Sequence, residues 1–128
     1  MPQFDRSRYR DADGKKRDWY CGDVLSGALD VAVVFEDDRV LAFHHPDPGA
    51  PIHVVIIPKT HVASLLSDEA RDGALLSSML RAIQEAARGL GLDKAGFFVR
   101  ANAAAPGVTP HMHWHVMGPG VDPPLAQP

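Results

Sequence analysis

Residues 111–117 read His-Met-His-Trp-His-Val-Met, an alternation of imidazole and apolar side chains that a β-strand resolves. Successive strand side chains point to opposite faces, so His111, His113 and His115 share one face while Met112, Trp114 and Val116 share the other. One face is then core and the other is chemistry. Three imidazoles side by side do little for a sheet, because each carries polar nitrogens that need partners and titrates near pH 6.5.

Such a strand needs neighbours, and the chain supplies them. Residues 31–36 are β-branched and aromatic, Asp37-Asp38-Arg39 is turn material and 40–44 are apolar again, which predicts a hairpin. Residues 45–51 are dense in proline and form a loop. The run 53–58 reads as a buried strand, 96–102 as a fourth and 111–118 as a fifth. One long helix is predicted after Ser67-Asp68-Glu69, which offer an N-cap and first-turn acids. Its apolar stripe is Leu76, Leu80, Ile83, Ala87 and Leu90, and Gly89 and Gly91 stop it. Residues 19–29 form a short helical turn carrying an aromatic pair. Residues 1–18 mix both signs of charge with almost nothing to bury and are read as a mobile arm. Residues 19–118 form one domain, and the proline-rich tail 119–128 is expected to be extended.

The 128 residues have one domain's length. Thirteen Lys and Arg against sixteen Asp and Glu leave a net charge of −3, which excludes the broad basic field a duplex nucleic acid would need. No apolar run approaches the roughly 20 residues that cross a bilayer, and no apolar signal core follows the charged N-terminus. A cytoplasmic protein is expected, without a membrane partner. Cys21 is the single cysteine and cannot form an internal disulfide, in keeping with a reducing compartment.

Two chemistries suit the histidine strand. A His-x-His pair is a familiar zinc arrangement, but at about 3.3 Å per residue His111 and His115 stand roughly 13 Å apart, too far for three rings to converge easily on one ion. A metal would use two of them with outside ligands, of which His53 is the best placed. The other reading makes the central imidazole a nucleophile: it attacks phosphorus, and the phosphohistidine splits one hard displacement into two easier ones. His115 would orient the rings, while His111 and Asn102 would donate to phosphate oxygens.

The 111–117 segment resembles the signature of the histidine triad (HIT) family. The resemblance extends upstream through Phe35-Glu36-Asp37-Asp38, Leu41-Ala42-Phe43-His44 and the 51–61 segment PIHVVIIPKTH, in order and at the right spacing. It implies an α+β fold with an antiparallel sheet of about five strands, one long helix and a short N-terminal helix, paired as a homodimer. It also implies a nucleotidyl hydrolase or transferase acting on nucleoside phosphoramidates and related nucleotides, through a covalent nucleotidyl-histidine and with no cofactor or catalytic metal. By motif position His113 is the nucleophile, with His115 and His53 as the relay beneath it. His111 and Asn102 surround the phosphate, and Tyr20 and Phe43 line the nucleoside pocket. A catalytically weak nucleotide-binding module of the same fold stays open beside the enzyme.

The sequence departs from the family pattern at three places. The segment before the triad is Pro106-Gly107-Val108-Thr109-Pro110, without the glutamine and serine that many members carry, so Thr109 is the candidate replacement donor. His45 stands where an acid often holds ribose hydroxyls, with Asp47 two residues on. Asp18 stands at the first cysteine of a zinc pair found in some relatives, leaving open a structural zinc held by Asp18, Cys21, His53 and His111.

Overall fold

A computed structural model describes residues 4–103 and 107–120. Five strands, β1 (Val33–Glu36), β2 (Val40–His44), β3 (Ile52–Pro58), β4 (Phe98–Ala101) and β5 (Trp114–Gly118), form one antiparallel sheet in the order β1-β2-β3-β5-β4. With helices α1 (Gly73–Gly89) and α2 (Leu92–Ala95), this is the α+β architecture expected. The β1–β2 hairpin closes where the Asp37 carboxylate accepts from the amides of Arg39 and Val40, at 2.8 and 2.9 Å.

The sheet has a core on each face. Toward α1, Val40, Ala42, Val54, Ile56 and Val116 pack against Met79, Ala82, Ile83 and Ala86. The alternate residues of β2 and β3, namely Leu41, Phe43, Val55 and Ile57, face Trp19, Tyr20 and Val24 on the opposite side. Burial on both faces is why 54–57 is continuously apolar and shows no alternation.

The helix buries Ile83 and Ala87 of its expected stripe, but toward its N-terminus the buried positions are shifted by one residue. Leu75 and Met79 are buried, whereas Leu80 is 52% exposed. Leu75-Leu76 and Met79-Leu80 are adjacent apolar pairs, so periodicity cannot choose between them. Its N-cap is Asp72, whose carboxylate accepts from the Ala74 amide at 3.0 Å, and Ser67 instead precedes a separate 3₁₀ turn, Asp68–Arg71. Gly91 takes φ +76° just beyond the helix, the left-handed stop its position predicts.

The segment expected to be a mobile arm is packed over residues 4–18. Phe4 and Tyr9 sit against Trp19, with ring centroids 5.7 and 5.6 Å away. Arg17 forms a two-pronged ion pair with the buried Asp23 at 2.6 and 2.8 Å, and Arg6 does the same with Asp47 at 3.0 and 3.1 Å. Two aromatics in a charged segment supply enough apolar area to dock it. Trp19 leads into a π-helical turn, Tyr20–Leu25, where the short N-terminal helix was expected. Of the proline-rich tail, 121–128 lie outside the described residues, as do 104–106 of the loop before the triad.

Candidate active site

The alternation of 111–117 becomes strand only from Trp114 onward. Before that point the His111 amide turns back onto the Thr109 carbonyl at 2.8 Å, and the Met112 amide is drawn to the Val62 carbonyl at 2.6 Å. Ladder pairing stops at Trp114, yet the predicted alternation of faces persists: Met112, Trp114 and Val116 pack into the core beneath α1, while His111 and His113 both lie against Tyr20 on the opposite face and His115 pairs with Val55 there. His111 is fully buried, its Nε2 donating to the Pro58 carbonyl at 2.9 Å. The expectation that it surrounds the phosphate is corrected accordingly: it lines no part of the pocket beside His113.

His113 and His115 remain together, with ring centroids 4.9 Å apart and planes at 89°. Nδ1 of His113 lies 2.6 Å from the His111 carbonyl oxygen. A carbonyl only accepts, so Nδ1 carries the proton and Nε2 keeps its lone pair. A second chain of bonds runs beneath. The Gly49 amide donates to His53 Nδ1 at 3.0 Å, so His53 Nε2 bears a proton and donates to His115 Nδ1 at 2.8 Å. His115 is thereby left with its proton on Nε2. His45 stacks on His53 with centroids 4.5 Å apart, its own Nδ1 accepting from the Asp47 amide at 2.9 Å.

Burial keeps these rings neutral. It pushes His45 down to about 4, with His53 adding to the effect, and pushes His53 down to about 4, with Arg100 adding. Burial and the neighbouring histidines push His115 to about 3, and burial lowers His113 as well.

A pocket of about 260 Å³ opens above His113 and His115. Asn102 and Thr109, both expected, line it. Tyr20 and His45 line it too, as expected, joined by Tyr9 and Lys16 from the N-terminal segment. Phe43 is not in the pocket: it is 0% exposed and sealed beneath Trp19 and Tyr20, so its expected role as nucleoside wall is corrected to core. Asp47 reaches the pocket, but Arg6 and the Tyr9 hydroxyl (3.2 Å) already occupy its carboxylate. Sequence reading missed Tyr9 and Lys16 because nothing local marks them; the only hint was two aromatics, Phe4 and Tyr9, in an otherwise charged stretch.

His111 belongs to a different cluster. Asp18, Cys21, His61 and His111 place one ligand atom each within 4.8 Å of one another. With His111 Nε2–H committed to Pro58, its bare Nδ1 faces the Asp18 carboxylate at 3.2 Å and Cys21 Sγ at 3.3 Å. A lone pair facing a carboxylate repels unless positive charge lies between them. One thiol, two imidazoles and a carboxylate are a donor set zinc accepts in a tetrahedral site. Burial and then Asp18 push the Cys21 thiol up to about 11, and coordination would deprotonate it. The fourth member of this cluster is His61, not His53: His53 is held in the relay, whereas His61 lies 2.9 Å from Asp18. Such an ion would tie the 18–21 turn to 61 and 111, behind the pocket.

Residues 26–120 match the HIT domain family. An uncharacterized HIT-like protein of Synechocystis sp. is 36% identical over 96 residues, covering 74% of this chain and 84% of that protein. The crystal structure of a HIT family hydrolase from Legionella pneumophila superposes with a TM-score of 0.69 at 34% identity, covering 77% of this chain and 89% of the other. A histidine triad nucleotide-binding protein from Candida albicans superposes at 0.65 with 27% identity, covering 76% and 71%.

Two outcomes follow from this geometry. Protein stripped with a chelator should regain about one zinc per chain, with a rise in melting temperature that Cys21→Ser abolishes; zinc content far below one per chain after metal addition would show the cluster to be a hydrogen-bond network only. Stability should also fall with acid. Below pH 6.5 the unfolded chain takes up protons on His45, His53 and His115, which the folded chain resists until about pH 4 or lower. The melting temperature is therefore expected to be level between pH 7 and 8 and to drop progressively from pH 6.5 to 4. A level trace down to pH 4.5 would mean that the rings charge in place.

Proposed function

The chain belongs to the histidine triad family, and from that premise we propose that it cleaves a nucleoside phosphoramidate or related nucleotide through a covalent nucleotidyl adduct on His113. One observation carries the reading. The 2.6 Å bond from His113 Nδ1 to the His111 carbonyl leaves Nε2 unprotonated and aimed away from the backbone, as a nucleophile for phosphorus must be. The nucleotide-binding and hydrolase names of its structural relatives support the substrate class and the reaction type.

In the first step the Nε2–P bond forms and the bond from phosphorus to the leaving nitrogen breaks. A proton entering from solvent passes through His115 Nε2 to that nitrogen, which departs as the neutral amine. Water then attacks the adduct, the Nε2–P bond breaks, and the proton released returns through His115 to solvent, leaving a nucleoside monophosphate. His53, fixed by the Gly49 amide, holds His115 in the tautomer this requires. Asn102 and Thr109, which line the pocket, offer donors to the phosphate oxygens.

The assembly we propose is a two-fold dimer through β4, which forms one edge of the sheet and exposes Val99. Light scattering at micromolar concentration should give twice the mass of one chain, and a monomer would exclude it. For the chemistry, mixing the protein with an adenosine phosphoramidate and quenching in base should trap an adenylyl group on His113, since a phosphoramidate bond to imidazole survives alkali better than acid. His113→Ala should abolish the adduct while AMP still binds. An adduct on another residue, or steady turnover by the alanine variant, would overturn the assignment.

A further inference from the structure

The pocket must hold an anion, yet its floor carries no positive charge. Burial keeps His45, His53 and His115 neutral. The segment before the triad, Pro106-Gly107-Val108-Thr109-Pro110, brings no charged side chain. Asp47 would repel a phosphate, and its charge is already answered by Arg6. One permanently charged cation remains on the wall, Lys16.

Lys16 is delivered there by a built structure. Residues 10–16 turn back on themselves, with Arg10 and Lys16 bridged as antiparallel partners and the Asp11 carboxylate accepting from the amides of Asp13 and Lys15, both at 3.0 Å. The ammonium lies 4.4 Å from the centre of the Tyr9 ring, whose hydroxyl is anchored to Asp47 on the pocket rim. It makes no ion pair with a carboxylate among the described residues. A half-buried cation held over an aromatic face, beside a nucleophile for phosphorus and without a counter-ion, is arranged for an anionic ligand.

We propose that Lys16, which lies outside the 26–120 match to the family, is a substrate-binding residue of this pocket: its ammonium pairs with the phosphate of the nucleotide and supplies the charge that the segment before the triad lacks. This rests on reading the pocket as a nucleotide phosphate site. The N-terminal segment is then part of the active site. Residues 4–18 close the wall through Tyr9, reach the loop through Arg6 and Asp47, and place the one cation.

The test is isothermal titration of the full chain with AMP, with adenosine and with inorganic pyrophosphate, for the wild type, Lys16→Met and Lys16→Arg. AMP and pyrophosphate affinity should each fall at least about tenfold in Lys16→Met and recover to within about threefold in Lys16→Arg, while adenosine affinity stays the same in all three. Equal AMP affinity in wild type and Lys16→Met would overturn the proposal. So would equal losses for adenosine and AMP, which would mark Lys16 as merely supporting the wall. If pyrophosphate binds in a Lys16-dependent way while AMP and adenosine do not bind at all, the anion site stands and the nucleotide reading falls. If no anion binds the wild type, Lys16 has no such role.

Discussion

An antiparallel sheet has two faces, and here β2 and β3 are apolar on both. This constraint organises the molecule. The single long helix covers one face only, so Leu41, Phe43, Val55 and Ile57 on the other must be covered by something else. The cover is the N-terminal chain: Trp19, Tyr20 and Val24 lie directly on the sheet, and Phe4 and Tyr9 pack over Trp19. Two ion pairs, Arg17 with Asp23 and Arg6 with Asp47, hold it in place. The pocket lies where this cover stops short, above His113 and His115.

The same burial sets the chemistry. Imidazoles in water would be partly charged near neutrality, and a protonated ring is no nucleophile. Packed between Tyr20, His45 and the sheet, the histidines are pushed toward the neutral form, and backbone groups choose their tautomers: the His111 carbonyl for His113, and the Gly49 amide, through His53, for His115. Backbone partners do this with little reorganisation because β3 and β5 already hold the residues in register, Val55 opposite His115 and His53 opposite Met117. Neutral rings make good nucleophiles and poor anion binders, which is why the charge at the pocket wall comes from outside the triad.

The family match covers 26–120, whereas the second core and one wall of the pocket depend on residues before it. Asp18, Cys21, His61 and His111 form a cluster that joins the N-terminal segment to the end of β3 and the entrance to β5. His111 does not line the pocket beside its two neighbours. It serves the site from behind, through its carbonyl oxygen on one side and its ring on the other.

Much of this could be read along the chain. The hairpin at Asp37, the buried run of β3 and the stop at Gly91 follow from local patterns: turn chemistry, apolar residues in succession and a left-handed glycine; the pairing of His53 with His115 is implied by the resemblance to the family. Tertiary contacts decided the rest. Leu75 and Leu76 are equally apolar, so only packing on the sheet selects which one is buried. Alternation alone would carry the strand back to His111, but the Val62 carbonyl captures the Met112 amide and ends it at Trp114. Phe43 and Tyr9 look alike in composition, yet one lies under the cover and the other on the pocket's wall. His61 and Lys16 carry no signal of their own, because what each meets lies tens of residues away and depends on how the N-terminal segment folds back across the sheet. Sequence determined which residue types alternate and where the chain must turn; the need to cover a second apolar face determined which of them meet.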